Sequence, residues 1–245
     1  MKRIELCVSY DGTAYAGWQL QKNALTIEEV LNRTLTALLK EEIRVSGASR
    51  TDAGVHSLGN LAVFDTETRI PPEKLAYALN ERLPEDIKIQ WSKEVSSDFH
   101  PRKCNSKKTY EYRIYNRPMP EPNLRRNTYH YHYSLDVSAM AEGAAFLLGE
   151  HDFKSFASIH GTAETTVRTI YEAAVTAQDG VITIRLTGSG FLYNMVRIIA
   201  GTLIEVGAGK RSPKDIRSIL EARDREAAGP TAPAKGLTMI RIEIL

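Results

Sequence analysis

Two kinds of hydrophobic period alternate along this 245-residue chain, and the order in which they alternate comes round twice. Residues 3 to 10 alternate at period two, Asp11-Gly12 breaks the pattern, and Ile27, Val30, Leu31, Leu35, Leu38 and Leu39 then recur at helical spacing. Strand patterns near 43 to 48 and 59 to 65 follow, then a helix opened by Pro71-Pro72 with Leu75, Ala78 and Leu79 inward, and a strand near 87 to 95. That stretch reads βαββαβ. From residue 108 the order returns: a strand to 115, a helix over 136 to 148 capped by Asp136, and strands at 168 to 177 and 181 to 187 joined by an Asp179-Gly180 turn. Helices near 190 to 206 and 213 to 223, the second entered through Ser212-Pro213, precede a closing strand at 238 to 244. Burying both kinds of face in this order makes an α+β protein. The repetition predicts two ferredoxin-like (RRM-like) βαββαβ halves, residues 1–100 and 101–245, in one mixed, mainly antiparallel sheet with helices on one face and a catalytic cleft between the halves. Residues 97 to 107 are polar and basic, as a linker would be, and the aperiodic residues 157 to 166 read as a mobile loop.

Composition narrows what such a chain does. With 42% hydrophobic and 25% charged residues it has the makeup of a folded protein. Cys7 and Cys104 form no Cys-x-x-Cys pair, so a zinc knuckle or disulfide framework is not expected and a reduced compartment is. Met1 to Glu5 run straight into a strand pattern with no secretory apolar region, and the longest apolar run, near 195 to 204, is broken by Arg197 and falls short of the roughly 20 residues of a membrane helix. The expectation is a cytoplasmic protein with no membrane partner. Net charge is only +2, yet residues 100 to 126 hold eight Lys or Arg against two acids, and Lys210, Arg211, Lys214 and Arg217 form a second cluster. Clustered positive charge suits a phosphate backbone, though a solvated surface reads the same way.

The segment most loaded with chemistry is Ser49-Arg50-Thr51-Asp52-Ala53-Gly54-Val55-His56, lying between two strand patterns where a loop can present side chains. A bare Asp-x-Gly would read as a surface turn. The whole octapeptide resembles the active-site motif of the pseudouridine synthases, and most closely that of the bacterial TruA family of tRNA pseudouridine synthases. The resemblance extends over nearly the whole chain: Val8-Ser9-Tyr10-Asp11-Gly12-Thr13 with Gly17-Trp18-Gln19, Lys108-Thr109-Tyr110-Glu111-Tyr112, residues Gly149 to Phe156, residues Gly190 to Arg197, and Ala228-Gly229-Pro230-Thr231-Ala232-Pro233. It departs from the family pattern at Ser49, where Gly is usual, and at Asn194 and Ile198, where His and Asn are frequent.

The resemblance implies isomerisation of uridine to pseudouridine at positions 38, 39 and 40 of the tRNA anticodon stem-loop, by a homodimer, with Asp52 as the nucleophile. No cofactor and no metal are implied: the glycosidic bond is broken, the uracil turned and the ring rejoined through C5. A carboxylate, ionised at neutral pH with an ordinary pKa of ~3.9, can drive this by attack at C1′ or C6, or by taking a proton from C2′. The target must first leave its stack. Arg50 is suited to filling the vacated space or gripping a phosphate. Tyr110 would place its ring on the uracil, although Tyr-Glu-Tyr alternation alone also fits packing. Arg197, on a helix apolar around most of its circumference, calls for a partner. The family supplies Asp52; pairing with Glu205 or reaching solvent are the alternatives. His56 is expected to brace the loop, and His130 and His132 lack a third ligand in register. A paralogue with another uridine target, a non-catalytic RNA-binding module and a metal hydrolase built on Asp52, His56, His130 and His132 are the competing readings.

Overall fold

The computed structural model describes residues 1–158 and 163–245. It is a mixed, mostly antiparallel α+β structure that divides into two compact units, Met1–Ser106 with Met239–Leu245, and Lys107–Thr238.

The first unit opens with β1 (Lys2–Tyr10), α1 (Ile27–Leu39), β2 (Ser46–Gly47), β3 (His56–Thr66), α2 (Leu75–Asn80) and β4 (Ile87–Val95). Their strand order is β4-β1-β3, antiparallel throughout, with β2 paired to β3 at Ser46↔Val63. Helix α1 starts where Thr26 accepts a hydrogen bond from the Glu29 amide, with Glu28 and Glu29 favouring the positive helix end, and stops at left-handed Lys40. Its buried residues Ile27, Val30, Leu31 and Leu35 meet Ile4, Leu6 and Val8 of β1, each fully buried aliphatic contributing about 1.5–3 kcal/mol. Leu38 and Leu39 lie at the margin of that core. The predicted strand near 43 to 48 shrinks to two residues, because Val45 gives its amide to the Asn32 side chain. In α2, Ala76 rather than Ala78 joins Leu75 and Leu79 inside.

The second unit contains β5 (Ser106–Tyr115), β6 (Tyr129–His130), α3 (Val137–Ala145), β7 (Gly149–Asp152), β8 (Val167–Gln178), β9 (Val181–Gly188), α4 (Met195–Gly207) and α5 (Asp215–Ala222); β10 (Leu237–Ile244) closes the chain. Its strand order is β5-β9-β8-β7, with β6 parallel to β5. Asp179 and Gly180, both at positive φ, make the tight β8–β9 turn, and the Asp136 carboxylate caps α3. Three predictions need correction. Helix α3 ends at Ala145, and β7, which no periodicity announced, exists because β8 offers it a ladder. Helix α4 begins at Met195 and not 190, because Asn194 is left-handed and cannot extend a helix backwards. Of the loop expected at 157 to 166, residues 159–162 lie outside the described residues; on its flanks Ser158 donates to Tyr193 O and Phe153 to Thr166 O.

Candidate active site

The Asp52 loop is fixed chiefly through its backbone. Ala48 donates to Leu61 O at 2.7 Å, the Asn60 side chain donates to Ser49 O at 3.0 Å, and Val55 closes a turn onto Asp52 O at 3.1 Å. From the other side comes the stretch following β1. Trp18 donates to Thr51 O, Gly54 donates to Tyr15 O, and the Tyr10 hydroxyl pairs with that of Thr51 at 2.8 Å. Gly17 makes this approach possible: it sits at φ +92°, and a Cβ there would lie 2.4 Å from Thr51 O. Buried Trp18 and Tyr10, rings 6.0 Å apart, back the assembly, and Tyr15 ties it to Asp86 through a 2.7 Å hydrogen bond. Burial and that bond raise the Tyr15 pKa above the ordinary range, so its hydroxyl remains a donor. In physical terms, the Tyr-Asp-Gly and Gly-Trp-Gln segments hold the Asp52 loop.

Asp52 itself is half-buried, at the start of a turn whose next residue, Ala53, is exposed. Arg50, on the same loop, is exposed. Arg102, absent from the sequence-based site, arrives from the segment before β5 and donates through Nε to Gly47 O at 2.7 Å. His56 braces the loop as expected: the Gly12 amide donates to its Nδ1 at 3.1 Å. Asp11 Oδ1 lies 3.2 Å from the same nitrogen.

Tyr110 and Arg197 belong to the second unit. Tyr110, 6% exposed on β5, meets Phe191 edge to face with ring centroids 5.1 Å apart, which joins the Lys-Thr-Tyr-Glu-Tyr and Gly-Phe-Leu-Tyr motifs. Arg197 donates through Nε to Ala232 O at 2.8 Å and through Nη1 to Asn194 Oδ1 at 2.8 Å. Glu205, the alternative partner, is instead bonded by Arg211 at 2.6 Å. The Ala228 to Pro233 segment lies along α4. The Gly229 amide donates to Thr202 Oγ1, Ala232 donates to Arg197 O, and the Tyr112 hydroxyl donates to Pro233 O at 2.8 Å. Gly201 admits the chain: a Cβ there would lie 1.8 Å from Pro230 O.

His130 donates a hydrogen bond through Nε2 to Arg117 O and packs against Tyr115 and His132. Among the described residues no three His, Cys, Asp or Glu side chains are grouped to hold a metal. None of the described helices is long and apolar enough to cross a membrane.

A half-buried aspartate on a backbone-clamped loop that also carries the exposed Arg50 is compatible with an anionic substrate. The sequence profile described as tRNA pseudouridine synthase matches residues 6–102 and 144–243. The chain belongs to that family, which isomerises uridine to pseudouridine in tRNA. It is 46% identical over 242 residues to the tRNA pseudouridine synthase A of Acetivibrio thermocellus and 47% identical over 243 residues to that of Ruminiclostridium cellulolyticum, covering 99% of each chain in both cases. It is 48% identical over 238 residues, 96% of each chain, to the tRNA pseudouridine synthase A 2 of Clostridium tetani.

Proposed function

We propose that this protein isomerises uridines 38, 39 and 40 of the tRNA anticodon stem-loop, with Asp52 as the nucleophile. The reading rests above all on one observation: Asp52 is half-buried at the head of a turn whose position is fixed by backbone hydrogen bonds on both sides. Such a carboxylate is held in place at the edge of a turn that reaches solvent at Ala53. Arg50, Tyr110 and Arg197 bind substrate in this scheme. Tyr110 offers a ring face or edge to the uracil, and the arginines meet negative charge. The architecture is two ferredoxin-like halves divided near residue 100, the working unit is a cytoplasmic homodimer, and no cofactor takes part. Several neighbouring uridines served by one carboxylate require recognition of shape and backbone rather than base sequence.

The test is release of label from C5-tritiated uridine in tRNA, with the modified positions mapped afterwards. Wild type is expected to release label at positions 38 to 40. Asp52→Asn is expected to lose activity on the order of 10⁴-fold while still binding tRNA. Retention of more than about a tenth of the rate by Asp52→Asn would remove the nucleophile assignment. Modification confined to other uridines would instead favour a paralogue of different target.

A further inference from the structure

Asn194 is the N-cap of α4, and the Ile198 amide donates to its carbonyl at 2.9 Å. An asparagine at that position ordinarily turns its side-chain oxygen back onto an amide of the first helical turn. Here the side chain makes no capping bond. Its Oδ1 accepts from Arg197 Nη1 at 2.8 Å, and its Nδ2 donates to Ser158 Oγ at 2.9 Å. A guanidinium can only donate, so the Arg197 contact fixes which end of the amide faces it and turns the amide nitrogen to Ser158. Ser158 is held in its turn, its own amide donating to Tyr193 O at 3.1 Å. The backbone at Asn194 is left-handed, at φ 60° and ψ 5°, a conformation that costs any residue but glycine free energy. Local stability therefore gives no reason for an asparagine at 194, whereas its two side-chain bonds do. Arg197 also donates from Nε to Ala232 O at 2.8 Å. Two anchored N–H groups define the plane of a guanidinium, and Asn194 is one of the two anchors.

We infer that Asn194 is a positioning residue of the active site: it sets the plane of the Arg197 guanidinium, and Ser158 sets Asn194. The plane matters because arginine presents a rigid fork of directed donors and not a point charge, so a rotated guanidinium misaims every N–H it offers. This inference rests on the reading of Arg197 as a substrate-binding residue. It places Asn194 and Ser158 behind that arginine, acting through it and not on the uridine.

The experiment measures steady-state label release from C5-tritiated uridine in tRNA, with melting temperatures taken alongside. Glycine adopts φ 60° without strain, so Asn194→Gly removes the side chain and leaves the backbone its conformation. It should lower kcat roughly tenfold to a hundredfold, keep KM for tRNA within about twofold, and leave the melting temperature no lower than that of wild type. Asn194→Asp keeps an acceptor for Arg197 and a residue that tolerates the left-handed region, and the Ser158 hydroxyl can turn to donate to it; kcat should return to within about threefold of wild type. Ser158→Ala should lower kcat by about two- to fivefold alone and add nothing to Asn194→Gly, since both act through one guanidinium. An unchanged kcat in Asn194→Gly would overturn the inference. So would a loss of activity matched by a lowered melting temperature, which would make Asn194 a support for the start of α4, and so would equal losses in Asn194→Gly and Asn194→Asp. Arg197→Gln separates these failures from that of the underlying reading. If Arg197→Gln is inactive while Asn194→Gly is not impaired, only the positioning role falls; if Arg197→Gln keeps full activity, the substrate-binding role of Arg197 falls first and takes the inference with it.

Discussion

The Asp52 loop and the Ala228 to Pro233 segment are both irregular stretches pressed against regular structure, yet they are held in opposite ways. Around Asp52 the bonds that set the chain's course run mostly from backbone to backbone: Trp18 to Thr51, Gly54 to Tyr15, Val55 to Asp52. Along α4, side chains reach out to the backbone of the visiting segment, from Tyr112, Arg197 and Thr202. The first arrangement fixes a loop without depending on the groups it displays. The second commits the neighbours' side chains to holding the segment, and Arg197 is among them. A glycine is the point of closest approach in each, Gly17 in one and Gly201 in the other.

The sharpest way to break this comparison is to add a methyl group at each glycine. Gly201→Ala and Gly17→Ala should each destabilise the protein by roughly 2–3 kcal/mol, the alanine at 17 facing a positive φ as well as a clash. Chemical denaturation measures the loss. Only Gly17→Ala is expected to lower kcat of the folded fraction, because it displaces Thr51 and Asp52. An equal fall in kcat for Gly201→Ala would show that the two segments are not separable in function.

Removing a single hydroxyl from each region has a smaller effect. Tyr112→Phe leaves Pro233 O with only the long 3.4 Å contact from the Gly236 amide and should cost about 1 kcal/mol, since a main-chain carbonyl cannot turn away. Tyr10→Phe takes away the partner of the Thr51 hydroxyl, which can rotate, so a cost nearer ~0.5 kcal/mol is expected. Urea unfolding of the pair should rank them in that order; the reverse rank would locate more of the loop's stability in side chains than the backbone pattern allows.

The smallest effect concerns alkali and both regions at once. Tyr15 and Tyr112 have pKa values raised above the ordinary 10.0, each mainly by burial. A raised folded value means that their contribution to stability is complete below pH 10 and is lost progressively as pH climbs above it. Wild type should therefore lose stability more steeply above pH 10 than Tyr15→Phe or Tyr112→Phe, as read from melting temperature against pH. Parallel curves would mean that neither phenol is buried as a donor in solution.

Much of this was legible before any coordinates. Period-two and period-3.6 patterns located α1, β1, β4, β8 and β9, because a repeating apolar face reports burial directly. The cap at Asp136 and the Asp179-Gly180 turn were readable because they are local chemistry. Illegible were β7, whose four residues become a strand only against β8, and the true start of α4, which depends on the conformation of Asn194. At the site, Asp52 and Arg50 stood out within one octapeptide. Arg102 did not, since in sequence it is one of eight basic residues in a run, and only its bond to Gly47, 55 positions away, sets it apart.

The linear chain thus determined the element types, the aspartate loop and the kinship with pseudouridine synthases, all of which reside in short spacings. Tertiary structure alone decided which glycines must be bare, which carbonyls Tyr112 and Arg197 satisfy, and that Arg102 reaches Gly47. Those outcomes depend on atoms tens of residues apart meeting at a few ångströms, and close packing of that kind leaves no period in the sequence to read.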